Sequence, residues 1–143
     1  MTPEDKELLI KDLCARLPYN VICQVEFKEN GKYNSKVMLL SGIFTDEAYF
    51  TTKGGSIYSN EYKPYLFPLS SMTEEQLFEV QKILGKNEIE IEDGFLRIID
   101  AERNTLTYLE ILAVLEWFYK NHFDVNNLIS MGLAIDATGL NIY

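Results

Sequence analysis

His122 is the only histidine of the chain, in Asn121-His122-Phe123-Asp124. A histidine is the usual base for a Ser or Cys nucleophile, provided a third group orients it. Here it follows a strongly apolar helical stretch. Its expected role is to cap the C-terminal end of that helix, where the dipole favours a cation. Neither a G-x-S-x-G elbow nor an H-E-x-x-H helix occurs. Cys14 and Cys23 have a spacing that matches no common zinc pattern, and one histidine adds too few ligands. Their phases put both in the core. Cys14 shares a helical stripe with Ile10, Leu13 and Leu17, and Cys23 alternates with Val21, Val25 and Phe27.

Carboxylates offer a second chemistry. Glu88, Glu90 and Glu92 lie on one side of an alternating Glu-Ile stretch, roughly 7 Å apart at successive same-side positions, with Asp93 beside them. Such a row can attract Mg²⁺ or Ca²⁺, but metal loops collect ligands from several backbone directions, and no EF-hand spacing occurs. A half-solvated strand whose charges blunt an edge is the simpler reading. Lys53-Gly54-Gly55 lacks the rest of a phosphate-binding loop and reads as a hairpin turn. The expectation is a chain with no catalytic residues, no metal and no cofactor.

The densest unusual feature is aromatic. Phe44, Tyr49, Phe50, Tyr58, Tyr62, Tyr65 and Phe67 fall within one short stretch, with Lys53 and Lys63 among them. Aromatics beside lysines on a small sheet can stack single-stranded bases. They also suit a protein or peptide interface, or simply pack between sheet and helices. Tyr49, Tyr58, Tyr62 and Tyr65, with Glu88, Glu90, Glu92 and Asp93, are the candidate interaction surface.

The elements that must position these groups follow from local patterns. Thr2, Pro3, Glu4 and Asp5 start a helix that Pro18 stops, with apolar residues 9, 10, 13, 14 and 17 on one face. Val21–Phe27 alternates, Asn30-Gly31 is a hairpin signal, and Val37–Phe44 reads as a central strand. Tyr49–Thr52 and Ser56–Ser59 complete a small antiparallel meander or partial barrel. Residues 63–72, with two prolines, should be an extended crossing to the next helix. Thr73 and Gln76 fit a capping box, Met72 and Leu77 a hydrophobic staple, and Gly85 a stop. The acidic hairpin turns at Asp93-Gly94. A helix over about 105–121 is apolar nearly all round and belongs at the middle of a domain. A second, short helix runs from Asp124 to Gly132, and the tail 133–143 adds a last strand. A helix-turn-helix over 105–132 is disfavoured, since no Arg or Lys occurs in 121–143 to contact phosphates. The fold class is α+β: one domain over 1–143, with a sheet-rich layer over about 1–70 and a helix-rich layer over about 71–143.

Charge narrows the partners. The chain has 143 residues and a formal net charge of −9. Residues 1–72 carry 8 basic against 9 acidic side chains, and residues 73–143 carry 5 against 13. An acidic surface repels phosphate backbones and anionic lipid, so duplex DNA and membranes are poor partners. A basic protein partner fits better, and a homo-oligomer stays open. No basic segment followed by an apolar run opens the sequence, and the longest strongly apolar stretch, Leu106 to Tyr119, falls short of a membrane span. A cytoplasmic protein is expected.

Three segments carry a resemblance. They are Asp12-Leu13-Cys14-Ala15-Arg16-Leu17-Pro18-Tyr19, Lys63-Pro64-Tyr65-Leu66-Phe67-Pro68-Leu69-Ser70-Ser71-Met72-Thr73-Glu74-Glu75, and Trp117-Phe118-Tyr119-Lys120-Asn121-His122-Phe123-Asp124. The last continues through Leu128-Ile129 and Gly132-Leu133-Ala134. In this order they resemble short proteins of gut Bacteroidetes and of their phages and mobile elements, a group without an assigned activity. The resemblance implies a cytoplasmic accessory protein of phage or prophage setting that acts through protein–protein contacts. The alternative is a nucleic-acid-related role, as an acidic DNA mimic or a weak single-strand binder.

Overall fold

The computed structural model describes residues 1–85, 88–93, 95–99 and 108–143. Gly94 and residues 105–107, which the sequence assigns to a turn and a helix start, lie outside the described residues. The fold is α+β. Helix α1 spans Pro3–Arg16 and opens with a full capping box. The Thr2 hydroxyl accepts from the Asp5 amide at 3.1 Å, and the Asp5 carboxylate accepts from the Thr2 amide at 3.0 Å. Four strands then run as an antiparallel meander: β1 Ile22–Glu29, β2 Lys32–Ile43, β3 Ala48–Thr52 and β4 Gly55–Ser59. Asn30 and Gly31 both take positive φ, 51° and 78°, as a two-residue turn of the primed type demands. β2 lies between β1 and β3, as its apolar character predicts.

Residues 61–68 depart from the expected crossing. They form β5 (Glu61–Pro68), antiparallel to β1 in its first half. Pro64 lies opposite Cys23, so two prolines do not keep this segment out of the sheet. The second half of β5 pairs in parallel with two short strands from far along the chain, β8 (Phe123–Asp124) and β9 (Ile135–Asp136). The strand order is β4-β3-β2-β1-β5-β8, with β9 also on β5. The sheet curls, because the Ser59 hydroxyl at the end of β4 reaches the Glu26 carbonyl of β1 at 2.5 Å.

Helix α2 (Glu74–Ile83) opens with the Thr73–Gln76 capping box and closes at Gly85, φ 73°. The acidic hairpin is β6 (Glu88–Glu92) and β7 (Phe95–Ile99), with Asp93 at φ 52° in its turn. Helix α3 (Tyr108–Lys120) buries Val114 and Phe118 on one face. It is not buried all round: Tyr108 is 73% and Leu109 74% exposed, with Ile111 and Leu112 also open. It packs on β8 and α2, with Val114, Trp117 and Phe118 in the cluster that contains Val80, Leu84 and Phe123.

No second C-terminal helix follows. After β8 the chain makes a single turn, and Asp124 still caps it. Its carboxylate accepts from the Leu128 and Ile129 amides at 2.9 and 2.8 Å. Gly132 ends the turn at φ 73°, with Leu133 and Ala134 both donating to the Leu128 carbonyl. A helix of this length competes with strand pairing on both sides, β8 and β9, and only one turn fits between them.

Two apolar clusters result. One joins Leu9 and Leu13 of α1 to Cys23, Val25, Met38, Leu40 and Phe50 of the sheet and to Leu128, Leu133 and Ala134. The other gathers Leu69, Val80, Leu84, Val114, Phe118 and Phe123. The buried face of α1 differs from the apolar stripe in the sequence. Asp12 and Arg16 are inside with Leu9 and Leu13, while Cys14 is exposed. Helical phase explains this, since 9, 12, 13 and 16 share one face and an ion pair within the helix makes two charges tolerable there. Cys23 is buried, as its alternation predicts, and burial pushes its thiol well above the usual range.

Candidate interaction surface

One face of the β2–β4 sheet packs on the core through Leu40, Phe50 and Ile57. The other face carries Tyr49 opposite Tyr58, with ring centroids 4.9 Å apart, and Phe44 at 6.0 Å from Tyr58. Phe44 is 54% and Tyr58 56% exposed, and Tyr49 is half-buried beneath them. A β-bulge builds this cluster. Register slips between Leu40 and Gly42, so Gly42 comes opposite Tyr49, and the space a side chain would take there is bordered by the Phe44 ring and the Tyr49 Cβ. A turn in which the Phe44 amide donates to the Glu47 carbonyl then folds Phe44 back over the strand. Exposed Val37 and half-buried Leu39 extend the apolar strip along β2, and Asp46 and Glu47 border it.

The sequence candidates divide. Tyr58 and Tyr49 belong to this surface. Tyr62 is half-buried with its ring 5.2 Å from Phe50, and burial pushes its phenol up. Tyr65 is a correction, because it is 7% exposed and cannot serve as a surface. It sits inside β5, where its hydroxyl donates to the Gln24 side chain at 3.2 Å. The acidic residues lie elsewhere. Their hairpin packs on α2 and on the 69–71 turn. Glu92 and Asp93 are exposed, Glu90 is half-buried opposite Arg97, and the backbone of Glu88 is opposite Ile99. Phe44 is the residue that sequence reasoning left out of the surface. Its signal was its place just past the apolar run of β2, next to the turn residues Thr45-Asp46.

His122 does not act as a cationic cap. Its backbone closes α3, with φ 62° and an amide bond to the Tyr119 carbonyl at 3.1 Å. Its ring stacks on Tyr143, centroids 3.6 Å apart and planes 9° from parallel. Desolvation, with the Arg16 guanidinium nearby, lowers its pKa to about 4. Nδ1 is buried without a hydrogen-bond partner among the described residues. The imidazole is therefore neutral at pH 7 and a weak base.

The charged centre that the sequence hid is Asp12–Arg16. Asp12 accepts from Arg16 Nε at 2.6 Å, Arg16 Nη2 at 3.0 Å and Asn126 Nδ2 at 2.8 Å. Arg16 Nη2 also donates to the Phe123 carbonyl at 2.7 Å, and the guanidinium lies 4.8 Å over the Tyr119 ring. Both side chains are fully buried, so the pair ties α1 to α3 and β8. A groove of about 390 Å³ runs beside β5, lined by Met1, Gln24, Glu26, Glu61, Tyr62 and Lys63 among others. Among the described residues, no three His, Cys, Asp or Glu side chains converge to hold a metal, and no helix is long and apolar enough to cross a membrane. No family model matches the chain, and neither a curated protein nor a solved structure matches it.

Proposed function

We propose that this protein is a non-catalytic binding module that acts through protein–protein contacts, with Phe44, Tyr49 and Tyr58 as its anchor. The observation that carries this reading is their clustering, with Phe44 and Tyr58 more than half exposed among the described residues, on the sheet face opposite the core. Aromatic side chains that project from a rigid sheet lose little entropy on binding and contribute most of the energy at interfaces. The carboxylates bordering the strip and the excess of acid in residues 73–143 favour a basic partner. The cytoplasmic, phage- or mobile-element-borne setting implied by the sequence resemblance belongs to the same proposal.

Affinity capture from a host lysate with wild type and with the Phe44→Ser/Tyr58→Ser double variant tests it. Both side chains are more than half exposed, so the variant should stay folded, with only a modest loss of thermal stability from the missing ring contacts. It should lose at least about thirtyfold in partner affinity, the effect of removing one hot-spot aromatic. Equal capture by both proteins rules out the aromatic face. Oligonucleotide titration at low salt decides the other use of such aromatics: tight single-strand binding abolished by the same variant replaces the protein partner with nucleic acid.

A further inference from the structure

β1 and β5 run together from Glu26 opposite Glu61 to Cys23 opposite Pro64. One step further the same register sets Ile22 opposite Tyr65, and there the strands do not bond directly. The Ile22 amide donates to the Tyr143 hydroxyl at 3.1 Å, and that hydroxyl donates to the Tyr65 carbonyl at 2.8 Å. A phenol has one proton to give and lone pairs to accept with, so it can relay a ladder bond across a gap. The next backbone group on that edge of β5, the Phe67 amide, bonds the His122 carbonyl at 2.9 Å. Tyr143 thus fills the place where β5 leaves β1 and passes to β8.

The seat draws on several elements, although Tyr143 as a whole stays 44% exposed. β1 supplies a donor and β5 an acceptor. The turn after α3 supplies the His122 platform, and the Phe67 ring, 6.0 Å from that of Tyr143, supplies a wall. Burial pushes the Tyr143 phenol up, so it keeps the proton that its bond to Tyr65 needs. The strap that delivers the ring is lightly held by comparison. Ala137 bonds the Leu66 carbonyl at 2.8 Å and Leu140 bonds Ala137 at 3.1 Å, while residues 138–141 are exposed.

We propose that the gap between β1 and β5 is a phenol-recognition site whose resident ligand is the chain's own Tyr143, and that a para-substituted phenol takes the seat when that ring is removed. Its selectivity comes from the Ile22 amide and the Tyr65 carbonyl. A ring without the hydroxyl leaves both unpaired. The inference is independent of the Phe44–Tyr58 surface.

The test uses the full chain with Tyr143→Ala, and 4-methylphenol and toluene as probes. The melting temperature of the variant should rise saturably with 4-methylphenol and not with toluene. Wild type, whose seat is taken, should show no such rise. Exchange of the Ile22 amide should be about tenfold faster in the variant, the loss expected for one hydrogen bond, and 4-methylphenol should slow it again. Equal responses to both probes, an equal response of wild type, or no response overturns the proposal. Should Tyr143→Ala fail to fold, Tyr143→Phe keeps the ring and removes the relay. Its Ile22 amide should exchange about tenfold faster while that of Cys23 is unchanged, and an unchanged Ile22 amide overturns the site.

Discussion

The Asp12–Arg16 pair makes the sharpest demand on single residues. Two buried charges are tolerated because each satisfies the other and because Asn126 and the Phe123 carbonyl add further bonds, although Arg16 Nη1 finds no acceptor among the described residues. Removal of one partner leaves a naked charge, so Asp12→Ala should lower unfolding free energy by about 3–5 kcal/mol in urea titration. Asp12→Leu/Arg16→Met should cost less than Asp12→Ala alone, because no charge is stranded. His122 is a second test at this scale. Its ordinary pKa of 6.5 falls to about 4 in the folded chain, so the unfolded chain binds its proton first. Stability from this residue is complete above pH 6.5, declines as pH falls toward 4, and is fully lost below that. The imidazole is partly solvated, so the loss is discounted to on the order of 1–2 kcal/mol. His122→Asn, which tolerates the left-handed backbone, should flatten the pH 4–6.5 part of the stability profile relative to wild type.

At the scale of elements, what local chemistry dictates was legible and what distant pairing dictates was not. The cap at Thr2, the capping box at Thr73, the Asn30-Gly31 turn and the stop at Gly85 each depend on residues a few positions apart, and each forms as its sequence predicts. In the sequence β5 shows only as an extended crossing, because its partners Phe123 and Ile135 stand far along the chain and two prolines disguise it. The segment from Asp124 to Gly132 had the cap and the stop of a helix and lacked room for one. Asp124 therefore has more to do than an ordinary N-cap. Asp124→Ala strips two amides of their acceptor and should destabilise the protein by about 2 kcal/mol in thermal or urea unfolding, toward the upper end for caps. Asp124→Asn, which keeps an acceptor oxygen, should cost less than half of that. α3 departs from its sequence pattern for a related reason. Its composition suits full burial, but burial depends on neighbours, and Tyr108, Leu109, Ile111 and Leu112 of its first turns stay exposed.

For the whole molecule, the candidate surface was half legible. The density of aromatics marked the right strands, yet which rings face out depends on the register of β2, β3 and β4. Alternation along β3 sends Tyr49 outward and Phe50 inward, and the bulge between Leu40 and Gly42 shifts the β2 register by one residue so that Gly42 comes opposite Tyr49. Net charge makes a prediction that belongs to the molecule and not to any residue. If the partner is basic, association should slow steeply as salt rises from 50 to 500 mM while dissociation changes little, as stopped-flow binding would show. A salt-independent association rate excludes long-range attraction by the acidic half.

The parallel strands on β5 also set a timetable for synthesis. A ribosome completes Pro68 well before Asp136, and at about 5–20 residues per second the delay is roughly 3–14 s. During that interval the emerging chain can close β1 to β4, but the second half of β5 has no strand to pair with. An apolar Tyr65-Leu66-Phe67 edge is then open to any neighbouring chain. The protein should therefore depend on chaperones most at the stage when half of it is already native. Pulse-labelled refolding should show the Phe67 amide gaining protection later than the amides of the β1–β2 pair.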